Sequence, residues 1–368
     1  MTSWKIYKLG EILNFRRGHD LPKSQMVDGK IPVAGSNGII GYHNVSTPIE
    51  PCITIGRSGN VGTPYIYDRC WAHNTVLYID DFKGNDPLYL YYLLKTIPLA
   101  SYGGGSAVPT LNRNHIHPIE IKHTPSLEEQ RRIAGILGAI DDKIENNRRI
   151  NANLESQAQA LFEEFFINNI AQATEYNKVA LTDIANYLNG LAMQKFRPKD
   201  DEKGIPVLKI KELGQGLCDS TSDLCSLSID EKYIINDGDI IFSWSGTLLV
   251  DIWCGGTCGL NQHLFKVTSD KYPKWFIYHW TKFHLAKFIR IAKDKTVTMG
   301  HIKRGDLESS EVLVPDSLLL EKYDNIMTPI FNAIISNRIE NRNLATLRDT
   351  LLPKLMSGEL SVNNFSVD

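Results

Sequence analysis

From Pro125 to Phe166 the chain reads PSLEEQRRIAGILGAIDDKIENNRRINANLESQAQALFEEFF, with apolar or small residues at Ile133, Leu137, Ile140, Ile144, Leu154, Ala158 and Leu161. Asn147 and Asn151 fill the gaps, so the spacing alternates four and three without a break. Heptad periodicity of this kind predicts a long helix that packs against another long helix. Its start is marked by Pro125 and by Ser126 with Glu129 three positions on, the pattern of a capping box.

The pattern returns 190 residues downstream without a gap, from Pro315 to Met356. Ile330 answers Ile140, Ile334 answers Ile144, Asn337 answers Asn147, and Asn341 answers Asn151. Leu344 and Leu351 answer Leu154 and Leu161. Seam asparagines cost stability and are kept where they fix register and orientation. Asn147 and Asn337 near the midpoint are expected to meet across the crossing.

Ahead of each helix lies a globular stretch of short apolar runs bounded by turn signals. Ile31–Ala34, Cys52–Ile55, Tyr65–Tyr67 and Thr75–Ile79 read as strands of a curled mixed sheet. Asp86 to Thr96 reads as a helix capped by Asp86, with Pro87 at its first position. Tyr102-Gly-Gly-Gly-Ser106 reads as a mobile loop, and His115-Ile-His117 as part of a strand with both imidazoles on one face. From Val179 the plan begins again. Leu9-Gly-Glu-Ile12 is answered by Leu181-Thr-Asp-Ile184 and Gly18 by Gly190, both at a step of 172. Ile31-Pro-Val33 is answered by Ile205-Pro-Val207, Ser58-Gly59 by Ser245-Gly246, and the Pro87 helix by Pro273–Tyr278. This is a duplicated globule–helix unit; two copies are too few for a solenoid. The domains are therefore residues 1–124, a helix at 125–168, a second globule at 169–314 with a linker at 168–178, a second helix at 315–360, and a tail at 361–368.

With 42% hydrophobic and 22% charged residues, the composition is that of an ordinary globular protein. A formal net charge of −2 neither favours nor excludes nucleic acid, since a basic face can sit beside an acidic one. No apolar run is long enough to span a bilayer and the N-terminus has no signal-peptide core, so a cytoplasmic location is expected. The six cysteines then read as buried thiols, with no disulfide frame. Cys254-Gly-Gly-Thr-Cys258 with His263 lacks the second pair that a metal knuckle needs. Asp201-Glu-Lys203 lacks the acidic partner of a nuclease trio, and Gly103-Gly-Gly-Ser106 lacks the lysine of a phosphate loop.

Three segments resemble the specificity subunits of type I restriction–modification systems. They are Ile31-Pro-Val-Ala-Gly-Ser-Asn-Gly-Ile-Ile-Gly-Tyr-His-Asn44, Leu127-Glu-Glu-Gln-Arg-Arg-Ile-Ala-Gly-Ile-Leu137, and Leu347-Arg-Asp-Thr-Leu-Leu-Pro-Lys-Leu-Met-Ser-Gly-Glu-Leu360. One departure is visible: the second helix opens with Ser317-Leu-Leu-Leu320 in place of Leu-Glu-Glu-Gln. The resemblance implies a mixed α/β (α+β) chain. Two mixed-sheet target-recognition domains, related by a pseudo-twofold, are separated by two long helices in an antiparallel coiled coil. It implies a non-catalytic chain in which each domain reads one half of a bipartite double-stranded DNA site. It also implies docking of methyltransferase subunits, two of them, and of restriction subunits through the complex. S-adenosylmethionine, ATP and Mg belong to those partners; this chain binds no cofactor and no metal. A stand-alone DNA nuclease and a coiled-coil scaffold that binds protein are the competing readings.

The seam from Ile133 to Leu161 covers 28 steps, and at about 1.5 Å each it spans roughly 42 Å. That is on the order of 12 base pairs, about one turn of duplex. Base readout needs donors and acceptors on loops held by a rigid sheet. In the first globule Arg57, Ser58 and Asn60 qualify, then Tyr102, Ser106, Asn112 and Arg113. In the second they are Ser243, Trp244, Ser245 and Thr247, with Lys293, Lys295, Thr298, His301, Lys303 and Arg304 as a basic group suited to phosphate.

Overall fold

The computed structural model describes residues 4–104, 109–168, 176–294 and 300–362. The chain forms two compact units, one of residues 1–142 with 344–368 and one of residues 143–343.

In the first unit, strands Asn14–Arg17, Val76–Asp81, Cys52–Gly56 and Pro64–Tyr67 form an antiparallel sheet in that order. Cys52–Gly56 is buried throughout because both its faces are covered. Ile53 and Ile55 enter the main core with Phe15, Leu77, Tyr89 and Leu93, while Cys52 enters a smaller cluster with Ala34, Ala72 and Tyr78. A second sheet holds Gly38–His43, Ile31–Gly35 and Trp71–Ala72, the last two parallel. The second unit repeats the plan. Asn186–Asn189, Leu264–Thr268, Ile240–Ser243 and Leu249–Ile252 form the antiparallel sheet. Ile205–Leu208 runs parallel to Cys258–Leu260 in the other. The paired glycines explain why the repeat is legible. A Cβ on Gly18 would lie 2.0 Å from the carbonyl oxygen of His73, and one on Gly190 would lie 2.2 Å from that of Asn261. Only glycine lets the chain pass there.

The first long helix runs over Leu127–Glu163 and ends in a wide turn, Glu164–Asn168; the second runs over Ser317–Met356. In the first unit Ile133 and Leu137 enter the main core beside Leu355 and Met356. There Arg348 reaches Asp141 at 2.7 Å, and the Tyr92 hydroxyl donates to the same carboxylate at 2.8 Å. In the second unit Phe162, Phe166, Trp275, Trp280 and Phe331 share the core. Here the helices touch in antiparallel sense, through the seam asparagines. The Asn147 amide donates to Asn341 at 3.0 Å and to Glu340 at 2.7 Å. Asn337 donates to Asn151 at 2.8 Å, and Asn151 donates to the Ile334 carbonyl at 3.1 Å. The expected meeting of Asn147 with Asn337 is thus corrected. Moving up one antiparallel helix means moving down the other, so each asparagine meets the partner of its neighbour. The remaining seam positions of the first helix, Ile140, Ile144, Leu154, Ala158 and Leu161, are buried or half-buried, as are Ile330, Ile334, Leu344 and Leu351 of the second.

Other expectations change in detail. Asp86 caps its helix by accepting from the Tyr89 N–H at 2.9 Å. The box at Ser126 is half made: Ser126 accepts from the Glu129 N–H, but the Glu129 carboxylate turns to the Thr124 hydroxyl at 2.6 Å and to the Trp4 indole at 3.2 Å. His115 lies in a short helix, Arg113–Ile116, not a strand, because Asn112 caps it by accepting from the Asn114 N–H at 3.0 Å. Cys52 and Cys70 form a disulfide pair, against the expectation of thiols alone, while Cys218, Cys225, Cys254 and Cys258 are free. Glu202, in the charged run, accepts from the Ser226 hydroxyl and the Leu227 N–H and so ties down a loop. No helix among the described residues is long and apolar enough to cross a membrane.

Candidate nucleic-acid interface

At the end of the buried strand Cys52–Gly56 the chain turns sharply. A Cβ on Gly56 would lie 1.8 Å from the Asn60 carbonyl oxygen, so the turn requires glycine. Arg57 follows, its backbone held on both sides: its N–H donates to Thr75 at 2.8 Å and its carbonyl accepts from Leu111 at 2.8 Å. Register sets the direction of its neighbours. Arg17 and Ile55 both lie opposite Leu77, and Arg57 comes two residues after Ile55. Side chains alternate across a strand, so Arg17 and Arg57 share one face of the sheet, at the rim of the main core. Two strand spacings across and two residues along separate their backbones, about 12 Å. Arg113 joins from the helix after Leu111 and donates to the Phe15 carbonyl at 3.2 Å.

Three arginines therefore converge on one rim. Burial, and then the charge of Arg17, hold the Arg57 guanidinium below its ordinary pKa. Among the described residues none of the three forms an ion pair; Glu50 pairs with Arg69, and Asp141 with Lys95 and Arg348. Asn74 sits at the adjoining turn and donates to Asp20. Burial lowers the His73 pKa, against the opposing pull of Asp20.

The second unit builds the same rim with different side chains. Trp244 follows the buried strand Ile240–Ser243; its N–H donates to His263 at 3.4 Å and its carbonyl accepts from Ile302 at 3.2 Å. These are the contacts that Arg57 makes with Thr75 and Leu111. Asn189 occupies the place of Arg17, immediately before the matching glycine. It accepts the Trp244 indole N–H at 3.0 Å. The indole lies nearly parallel to Phe265, with centroids 5.6 Å apart, and His301 stands edge-on at 6.3 Å. Asn189, Trp244, Phe265, Ile302 and Arg304 line a groove of about 920 Å³. A neighbouring groove of about 780 Å³ is lined by Gln194, Arg197, Lys209, Lys211, Gln262 and His263. Two of its cations are already paired, Lys209 with Asp223 and Lys211 with Asp219.

The structure brings Arg57, Ser58, Asn112 and Arg113 together, with Ser58 bridged to Thr110. Asn60 is exposed beside them, and its side chain accepts from the Thr63 hydroxyl at 3.3 Å. Tyr102 is exposed at the end of the turn Leu99–Tyr102. In the second unit Trp244, His301, Lys303 and Arg304 come together, and Thr247 is exposed. Lys293 is exposed near the end of the helix Lys274–Asp294. Ser243 and Ser245 are buried, which corrects their expected outward display. The Ser243 hydroxyl turns inward to the carbonyls of Ser245 and Thr247, and the Ser245 backbone is bridged to His301. Ser106, Lys295 and Thr298 lie outside the described residues. Arg17 and Asn189 escaped sequence reasoning, although the matched Gly18 and Gly190 stood directly beside them. Among the described residues no group of three or more His, Cys, Asp or Glu is placed to hold a metal ion.

The family model described as "Type I restriction modification DNA specificity domain" matches the chain twice, over residues 1–156 and 174–347. The chain belongs to the type I specificity-subunit family. The MjaIX type I restriction enzyme specificity subunit of Methanocaldococcus jannaschii is 31% identical over 304 residues, covering 74% of this chain and 69% of the relative. The HindI specificity subunit of Haemophilus influenzae is 22% identical over 313 residues, covering 64% and 68%. A crystallised type I S subunit from M. genitalium shares the fold at a TM-score of 0.65 and 16% identity, covering 96% of both chains. The two sheet units are thus two copies of the specificity domain, and the chain is the DNA-specificity component of a type I restriction–modification system. It is a recognition subunit and not an enzyme in its own right.

Proposed function

We propose that each specificity domain reads one half of a bipartite double-stranded DNA site through the rim at Arg57 in the first and Trp244 in the second. The two long helices act as a coiled-coil ruler that sets the unread spacer and docks the methyltransferase subunits, two per chain; restriction subunits join through the complex. S-adenosylmethionine, ATP and Mg are bound by those partners and not by this chain, and the complex works in the cytoplasm. The observation that carries this reading is the doubled rim: two positions held by equivalent backbone bonds in two copies of one fold, each flanked by cationic side chains. Two similar readers on one chain suit two half-sites.

The test is to reconstitute the chain with its methyltransferase partner and sequence the methylated sites. A single bipartite motif is expected. Replacing residues 1–124 with another such domain should change one half of the motif only; a change in both halves would refute the division of labour.

A further inference from the structure

The matched rims carry different chemistry. At the place occupied by Arg17 in the first domain stands Asn189 in the second, and at the place of Arg57 stands Trp244. Only the third position keeps its kind, Arg113 answering Arg304. We propose that the two half-sites differ in kind, the first domain reading guanine through Arg57 and Arg17 and the second reading an A·T pair through Asn189 and Trp244.

This rests on the bipartite reading above and adds the class of base each rim takes. In the first domain two guanidinium groups share a face with no carboxylate paired to either among the described residues. An arginine fork fits the two acceptors of guanine, O6 and N7, in the major groove. Arg57 suits that task better than phosphate binding. Its backbone is clamped at Thr75 and Leu111, it is only half-exposed, and the exposed Gly59 leaves open space beside it for close approach. Exposed Arg113 and Arg304 at the rim's outer edge suit phosphate.

In the second domain the indole N–H is already given to Asn189 Oδ1. That bond fixes the carboxamide so that its two N–H donors face away from the indole, while the oxygen keeps a second lone pair. One donor beside one acceptor matches N7 and the N6 amino group of adenine. Guanine offers two acceptors there and would leave one unpaired. The flat face of Trp244, backed by Phe265, offers an apolar wall for the thymine methyl.

The experiment uses the full chain reconstituted with its methyltransferase subunits on a random DNA library. In the wild type, one half-site should contain a fixed guanine and the other a fixed A·T pair. Arg57→Ala and Arg57→Lys should both relax the guanine, lowering its preference about 5- to 150-fold, the discrimination of one bidentate contact. The other half should stay as it was. Asn189→Ala should relax the A·T position alone. Arg57→Lys keeps the charge and guards against a folding failure. Uniformly weaker methylation at an unchanged motif would make Arg57 a phosphate contact and overturn the proposal. So would a bipartite motif whose guanine survives both variants, or one lacking guanine in that half. Absence of any bipartite motif in the wild type would overturn the functional reading itself.

Discussion

Arg338 ties the second long helix to the second specificity domain. Its guanidinium donates to Asp251 and Glu155, each at 2.8 Å, and to the Ile252 carbonyl at 3.1 Å. Burial alone would lower its pKa, but the two carboxylates outweigh that and raise it. Arg338→Ala removes three charge-assisted bonds and leaves two carboxylates without their cation. A bond to a charged group contributes about 1.5–3 kcal/mol, and removing one partner exposes the other to the full desolvation cost. Solvent screens both acids, whose side chains are 29% and 41% exposed, so the total is discounted to about 2–4 kcal/mol. For a unit of about 200 residues that lowers the melting temperature by roughly 5–12 °C. Tryptophan fluorescence reports the right unit, because Trp244, Trp253, Trp275 and Trp280 lie in it and only Trp4 and Trp71 lie in the other. Arg338→Met keeps the packing of the stem, so it separates charge from bulk. Combined with Asp251→Asn, the loss should be less than additive by about 1 kcal/mol. A shift below about 1 °C for Arg338→Ala would refute the account of this residue.

Two further predictions concern the same unit. His279 is buried, stacked on Phe162 at 5.2 Å, and burial pushes its pKa down to about 3. A folded pKa below the unfolded one favours the neutral ring, so its contribution is full above about pH 6.5 and lost as pH falls towards 3, about 1.4 kcal/mol per pH unit. The urea midpoint should therefore fall from pH 6.5 to 4.5 and flatten in His279→Phe; an unchanged slope would exclude this residue as the cause. In the seam, Asn151→Leu alone strands the Asn337 amide and should cost about 1–3 kcal/mol. Asn151→Leu with Asn337→Leu should recover most of that in thermal unfolding, and a double variant no better than the single would contradict the pairing.

Periodicity made the long helices legible, because a four–three spacing held over nine positions leaves no other element to fit it. The step of 172 between Gly18 and Gly190 made the duplication legible, because a backbone crossing tolerates only glycine at both. The partners of the asparagines were not legible: helix periodicity says which face is buried, not which level of the other helix it meets. The same limit hid Arg17 and turned Ser243 the wrong way. Which face of a strand looks outward depends on pairing with strands far away in sequence, and a one-residue shift reverses it. The short helix at His115 has one sequence signal, its cap Asn112, and an asparagine in a loop suits a contact as well as a cap.

The first unit draws Leu355, Met356 and Val362 into the core that already holds Leu9, Phe15 and Leu137. A ribosome synthesising this polypeptide therefore releases the second reader, all of it between residues 143 and 343, before the first can close. Folding order runs against reading order. Until Leu355, Met356 and Val362 emerge, the earlier-made half keeps part of an oily interior open to solvent, a window in which chaperones meet it first.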